Sequence, residues 1–234
     1  MGLYSLSALL LFISLLAAVT SCRSKSPEAV DPPGQCEIKY RENWTATDYE
    51  GVRLSPDYQL VIQGKSSPEY DKASAKEAAD LFGRFHENPL SKMPDCVSET
   101  YRLTWVPSFH RTTIVRMWSS IDGRYVTIKR LERTSENRNG STFTETTRRL
   151  SDLEWESTVN SINAYDFWNV ASMVKESLPN DGADWLVEGH RKDKYHNIFR
   201  ISPGHGLTQV IRNLFALTGE KTEIDKYLPD EALH

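Results

Sequence analysis

The stretch from Asp184 to Ile201, DWLVEGHRKDKYHNIFRI, constrains the fold more than any other. It reads as two short strands joined by a tight polar turn at Lys192-Asp193, and it carries the densest mix of aromatic, acidic and imidazole groups in the chain. With that dipeptide at the turn, Arg191 opposes Lys194, His190 opposes Tyr195, Glu188 opposes Asn197, Leu186 opposes Phe199 and Trp185 opposes Arg200. Alternation then puts Leu186, Glu188, His190, Tyr195, Asn197 and Phe199 on one face, and Trp185, Val187, His196, Ile198 and Arg200 on the other. Neither face is purely apolar. One reading makes Glu188, His190 and Tyr195, with Trp185 behind them, a ligand site; the other makes them a half-wet sheet surface whose polar groups satisfy one another.

A second hairpin is signalled by Asp122-Gly123, the pair favoured where a two-residue turn needs positive φ. In that register Met117 opposes Ile128 and Ser119 opposes Val126 on a largely apolar face, while Trp118 opposes Thr127 and Arg116 opposes Lys129 on the other. Two opposed cations are unfavourable alone. Arg116 and Lys129 either bracket an anion or a carboxylate, with Arg111 or Arg130 nearby, or form a solvated face. Further strands are expected over Glu37 to Tyr40, Tyr58 to Ile62, Tyr101 to Val106 and Phe143 to Arg149. A polar loop is expected over Thr134 to Ser141.

Helices are expected where the apolar period changes. Over Ser74 to His86 a capping box of Ser74 with Glu77 precedes the stripe Ala78, Phe82, Phe85, and Asn88, Pro89 and Pro94 stop it. A second capping box, Ser151 with Glu154, opens a core-facing helix from Asp152 to about Tyr165, followed by the aromatic plug Asp166-Phe167-Trp168. The last helix carries Leu207, Val210, Ile211, Leu214 and Leu217 and ends at Gly219, leaving 220–234 as a polar tail.

The amino-terminal 22 residues, MGLYSLSALLLFISLLAAVTSC, lack any charged side chain and hold an apolar run, Leu9 to Val19, short for a transmembrane helix. They read as an export signal. Val19-Thr20-Ser21-Cys22 resembles the bacterial lipobox, which implies cleavage before Cys22 and acylation of it; a plain secretory signal is the alternative. Of the 3 cysteines, lipidation of Cys22 removes the odd one and leaves Cys36 and Cys96 to form a disulfide or to remain as buried thiols. The segment 22–35, rich in Pro, Ser and charge, is expected to be a tether. Arg23 in place of Asp after the acylated cysteine resembles the pattern sent to the outer membrane, facing the periplasm. The sequons Asn43-Trp44-Thr45 and Asn139-Gly140-Ser141 would matter only in a eukaryote.

Tyr101 to His110 (YRLTWVPSFH), Arg148 to Ser157 (RRLSDLEWES) with DFW after it, and Asp181 to His196 (DGADWLVEGHRKDKYH) together resemble a family of uncharacterised exported bacterial proteins. The resemblance spans about Tyr101 to Leu217. It implies bacterial origin and an α+β fold and brings no catalytic residues with it.

Chemistry is sparse. No Gly-x-Ser-x-Gly elbow, phosphate loop, His-Glu-x-x-His or Cys-x-x-Cys pair occurs. A zinc set of His190, His196 and His205 is disfavoured because the first two point to opposite faces, so no metal or other cofactor is expected. The run Ser108-Phe109-His110-Arg111 could hold a nucleophile and a base, yet neighbouring side chains on a strand diverge rather than meet. Asp184 or Asp181 with Glu188 could serve a glycan hydrolase. Net charge is −4 with dispersed Lys and Arg, which argues against nucleic-acid binding.

The sequence therefore predicts an α+β fold, an antiparallel sheet with helices packed against it, after a lipoprotein signal (1–21) and tether (22–35). An N-terminal segment (36–98) and a C-terminal domain (99–219) follow. The expected role is a non-catalytic binding or envelope-associated module. It is held to the membrane by its lipid and meets an envelope protein or anionic polymer through Trp185, Glu188, His190, Tyr195, Arg116 and Lys129. The alternative is a periplasmic hydrolase using Glu188 with His190 or Asp184.

Overall fold

The computed structural model describes residues 36, 38–52, 54, 68–131, 142–174, 182–220 and 224–228. The signal, the tether, Tyr58 to Ile62, Thr134 to Ser141 and Asp181 lie outside the described residues. Six strands form one antiparallel sheet: β1 (Val97–Pro107), β2 (Thr113–Ser120), β3 (Gly123–Leu131), β4 (Phe143–Arg149), β5 (Ala183–Arg191) and β6 (Lys194–Arg200), in the order β4-β3-β2-β1-β5-β6. Three α-helices pack on it: α1 (Pro68–Arg84), α2 (Asp152–Ala164) and α3 (His205–Ala216). The fold is α+β. Among the described residues, no helix is long and apolar enough to cross a membrane.

The β5–β6 hairpin has the register the sequence predicts, Arg191 opposite Lys194 through Trp185 opposite Arg200. The β2–β3 hairpin differs. Ser120 opposes Gly123, so Ile121-Asp122 forms the turn, Met117 opposes Val126, and Arg116 opposes Thr127 rather than Lys129. Gly123 lies inside the strand at φ 138, and a Cβ there would come within 3.1 Å of the Arg149 guanidinium. The glycine serves the close approach of Arg149 and not the turn. Because the shift is two residues, every side chain keeps its face.

One face is apolar. Tyr101, Leu103, Trp105, Val115, Met117, Val126, Trp185, Val187 and Ile198 bury against Trp155 and Ile162 of α2 and Leu207, Val210, Ile211 and Leu214 of α3. The Ser151–Glu154 capping box opens α2. Of the expected loose tail, residues 224–228 instead pack on this layer: Ile224 and Leu228 are buried, and Tyr227 shares a 2.5 Å hydrogen bond with His110 Nδ1. Ile224, Tyr227 and Leu228 fall at the spacing of one helical turn, which aligns their apolar groups.

The other face receives α1 through Tyr70, Ala78, Phe82 and Phe85, with Tyr49, Val52 and Leu54 alongside. This helix begins at Pro68, two turns before the expected Ser74 cap, so Ser74 is interior. Its buried hydroxyl accepts from Leu54 N at 2.7 Å and bonds the carbonyls of Val52 and Leu54, tying the preceding segment to the helix. No strand forms over Ile38 to Tyr40. A disulfide joins Cys36 to Cys96, just before β1, and packs beside Trp118 and Tyr125.

Candidate functional site

The α1 face of the sheet carries a row of polar side chains across all six strands. Register aligns Asn197, Glu188, Arg102, Arg116, Thr127 and Thr147 as successive neighbours from β6 to β4. Lys129 sits one alternate position along β3, on the same face. Such charges need counter-charges once α1 covers them, because an unpaired buried ion is costly.

The counter-charge comes from the exit of α1. After Arg84 the chain turns through His86 in the left-handed region (φ 50), with His86 N donating to Gly83 O and Glu87 N to Phe82 O, a Schellman-type close. His86 takes the place usual for glycine, its ring stacked on Tyr40 at 4.8 Å and edge-on to Phe143. That turn delivers Glu87 into the layer between helix and sheet. Its carboxylate lies 3.0 Å from Arg116 Nε, 3.0 Å from Lys129 Nζ and 3.2 Å from Arg102 Nη1. Burial alone would raise the Glu87 pKa; Arg116, Lys129 and Arg102 together outweigh it and hold the group down at about 2.

The same cations take up the backbone at the helix end. Lys129 Nζ donates to the carbonyls of Phe85 and His86, each at 2.9 Å, and Arg102 Nη1 donates to Asn88 O at 2.9 Å. Cations at a helix C-terminus meet both the unpaired carbonyls and the negative end of the dipole. Arg102, fully buried, also lies with Cζ 3.8 Å from the centroid of the Phe82 ring. Its Nε meets Glu188 Oε2 at 2.6 Å, and the second Glu188 oxygen accepts from Tyr195 Oη at 2.9 Å. The Tyr195 hydroxyl is raised well above its ordinary value by burial and then by the Glu188 charge.

Three cations therefore meet two buried carboxylates, and the half-exposed Glu145 supplies a third at 3.6 Å from Lys129 Nζ. Arg102 Nη2 and Arg116 Nη1 have no hydrogen-bond partner among the described residues.

The sequence-predicted residues separate accordingly. Glu188, Tyr195, Arg116 and Lys129 come together in this cluster, and the carboxylate that Arg116 and Lys129 bracket is the chain's own Glu87. Trp185 is on the opposite face, wholly buried and stacked on Trp105 at 5.9 Å. His190 lies half-buried one alternate position beyond Glu188; Nδ1 has no hydrogen-bond partner among the described residues, and burial lowers its pKa. Asp184 is four residues from Glu188 on the same strand, roughly 13 Å away. Ser108 Oγ donates to Gly182 O at 2.8 Å while His110 bonds Tyr227, so these two do not meet as nucleophile and base. His190 and His196 occupy opposite faces, and no group of three or more metal-ligating side chains is placed to hold an ion among the described residues.

Glu87 and Asn88, the residues that complete the site, read in sequence only as the end of a helix. A signal did exist. Four strands carry a charge amid apolar neighbours, namely Arg102, Arg116, Lys129 and Glu188, and a covered face so charged requires further partners from whatever covers it. No protein-family model and no curated protein matches the chain.

Proposed function

We propose that this chain is a lipid-anchored bacterial envelope protein of the outer membrane, facing the periplasm, whose folded body is a non-catalytic module. The observation that carries the reading is that both oxygens of Glu188 are taken, one by Arg102 and one by Tyr195, beneath α1 with no exposed surface. A general acid or base must reach a substrate proton, and a carboxylate so engaged is a structural counter-ion. Arg116, Lys129 and Trp185 are likewise interior. Recognition of an envelope protein or polymer then belongs to surface residues, with the charged row acting as scaffold beneath them. The Cys36–Cys96 disulfide fits an oxidising compartment and hence export.

The test is a Glu188→Gln variant beside a Cys22→Ser variant in the full chain. The reading expects Glu188→Gln to lower the melting temperature, and Cys22→Ser to release a folded, disulfide-bonded body from the membrane fraction. A Glu188→Gln protein of wild-type stability that loses turnover of an envelope glycan would replace it with the hydrolase reading.

A further inference from the structure

We infer that one end of the sheet is a membrane-docking surface, seated on the phospholipid headgroups of the bilayer that holds the protein's own lipid. This rests on the anchor reading above. Fourteen positions separate Cys22 from Cys36, a span of at most about 50 Å when extended and about 20 Å as a flexible coil. Cys36 is fastened by its disulfide to Cys96, the residue before β1. Val97 pairs with Ser120 and Glu99 with Arg191, so the attachment point lies at the same end as the β2–β3 turn and the β5–β6 turn. The tether therefore enters the body at this end and no other.

Two of the most exposed large apolar side chains stand there. Ile121, at the tip of the β2–β3 turn, is 86% exposed, and Leu153, in the first turn of α2, is 78% exposed. Their elements are joined: Leu150 N donates to Arg124 O, Arg124 pairs with Asp152, and the Arg149 guanidinium lies against Gly123. A tight-turn position ordinarily takes Asn, Asp or Gly, so an isoleucine held out in water is a departure that turn geometry does not require. Charges around it are of both signs: Arg149, Lys192 and Lys194 are exposed, as are Asp95 and Asp193. That mixture matches zwitterionic headgroups, where apolar side chains enter the interface and Lys and Arg reach phosphate. The contact can be weak by itself, because a short tether sets a local concentration on the order of millimolar.

The experiment uses the full, lipidated, disulfide-bonded chain in vesicles of phosphatidylethanolamine and phosphatidylcholine. An environment-sensitive fluorophore is placed by Ile121→Cys, by Leu153→Cys, or by Phe109→Cys at the opposite end of the sheet, roughly 30 Å away. Quenching by headgroup-labelled lipid is expected severalfold stronger at 121 and 153 than at 109. In a second arm the label moves to Asp193→Cys, where Ile121→Asp with Leu153→Asp reduces quenching to the level seen at 109. Mass analysis of the amino-terminal peptide reads the anchor separately. Lipid on Cys22 with equal quenching at 121 and 109 overturns the docking surface alone; a bare Cys22 overturns the anchor reading and the docking surface with it.

Discussion

Glu87 Oε1 and Lys129 Nζ meet at 3.0 Å, and the same ammonium binds the last two carbonyls of the α1 exit. A helix end and a strand are thereby joined through one buried charge, with Arg116 and Arg102 closing around the other carboxylate oxygen. Replacing Glu87 by Gln keeps the volume but leaves Arg102 to Glu188, Lys129 to the half-exposed Glu145, and Arg116 without its carboxylate. Removing one member of a buried ion cluster costs about 3 to 5 kcal/mol, because the partners remain desolvated. Glu87→Gln is expected to lose that much in urea unfolding, far more than Lys76→Ala, whose pair with Asp80 is exposed.

The same group gives the protein a defined acid sensitivity. Glu87 is held at about 2 against an ordinary 4.5, so the folded state binds its proton more weakly than the unfolded chain. Stability from this group is complete above pH 4.5 and is lost as pH falls toward 2. Glu154, where burial is outweighed by Arg148 and the Ser151 cap, is also held at about 2 and acts in the same direction. The melting temperature is expected to fall steeply across that window, and the fall should be shallower in Glu87→Gln. An equally steep fall in the variant would place the acid sensitivity elsewhere.

Elements whose faces are set locally were legible in the sequence, and contacts made by distant segments were not. The β5–β6 register follows from one polar dipeptide, and the α2 start from Ser151 and Glu154, both decided within a few residues. Asp122-Gly123 misled by one step because the positive φ of Gly123 serves Arg149 from another strand, not the turn. Ser74 misled likewise: its spacing to Glu77 matches a cap, yet its hydroxyl is claimed by Leu54 and Val52 about 20 residues back. Glu87 showed only as a residue near a helix stop, since the three cations that define it stand 15 to 42 positions away on three strands. The residues that face a solvated partner and those that face a buried counter-ion have the same alternation, so period alone could not separate a binding face from a charged interior.

Ser74 offers a test of that long-range tie. Ser74→Ala strands the Leu54 N–H in a buried site, while the Leu54 carbonyl keeps the Tyr70 hydroxyl at 3.4 Å. An unsatisfied buried group costs about 1 to 3 kcal/mol, and alanine's better helix propensity offsets only a few tenths. The expected result is a net loss of stability with hydrogen exchange at the Leu54 amide accelerated before global unfolding. Unchanged exchange at Leu54 would mean that the helix does not hold this segment.

The disulfide should act on the whole body, because it joins the entry of the chain to the start of β1, a central strand of the sheet. Its ends are separated by 60 residues, for which the chain-entropy account gives about 4 kcal/mol. Cys36→Ser with Cys96→Ser is expected to lower stability by that order while leaving the near-ultraviolet spectrum of the Trp105–Trp185 core intact at low temperature. If the double variant is as stable as wild type under denaturant, the bridge contributes to export or handling rather than to the fold.

Gly189 is a position on β5 where the apolar layer leaves no room. A Cβ at residue 189 would lie 2.8 Å from Phe167 Cε1 and 3.1 Å from Tyr101 Cδ1, whereas a Cβ at Gly204 would meet nothing within 4 Å. Phe167 is itself fixed, fully buried, edge-on to Tyr101 at 6.2 Å and to His196 at 5.1 Å. Inserting a methyl group into such packing costs about 1 to 3 kcal/mol, while the strand backbone gains a little from losing glycine's flexibility. Gly189→Ala is therefore expected to destabilise the protein measurably, and Gly204→Ala much less. Adding Phe167→Leu to Gly189→Ala should recover part of the loss, since the smaller side chain vacates the space the methyl needs. That compensation separates overpacking from any effect of the glycine backbone, which would persist unchanged in the double variant.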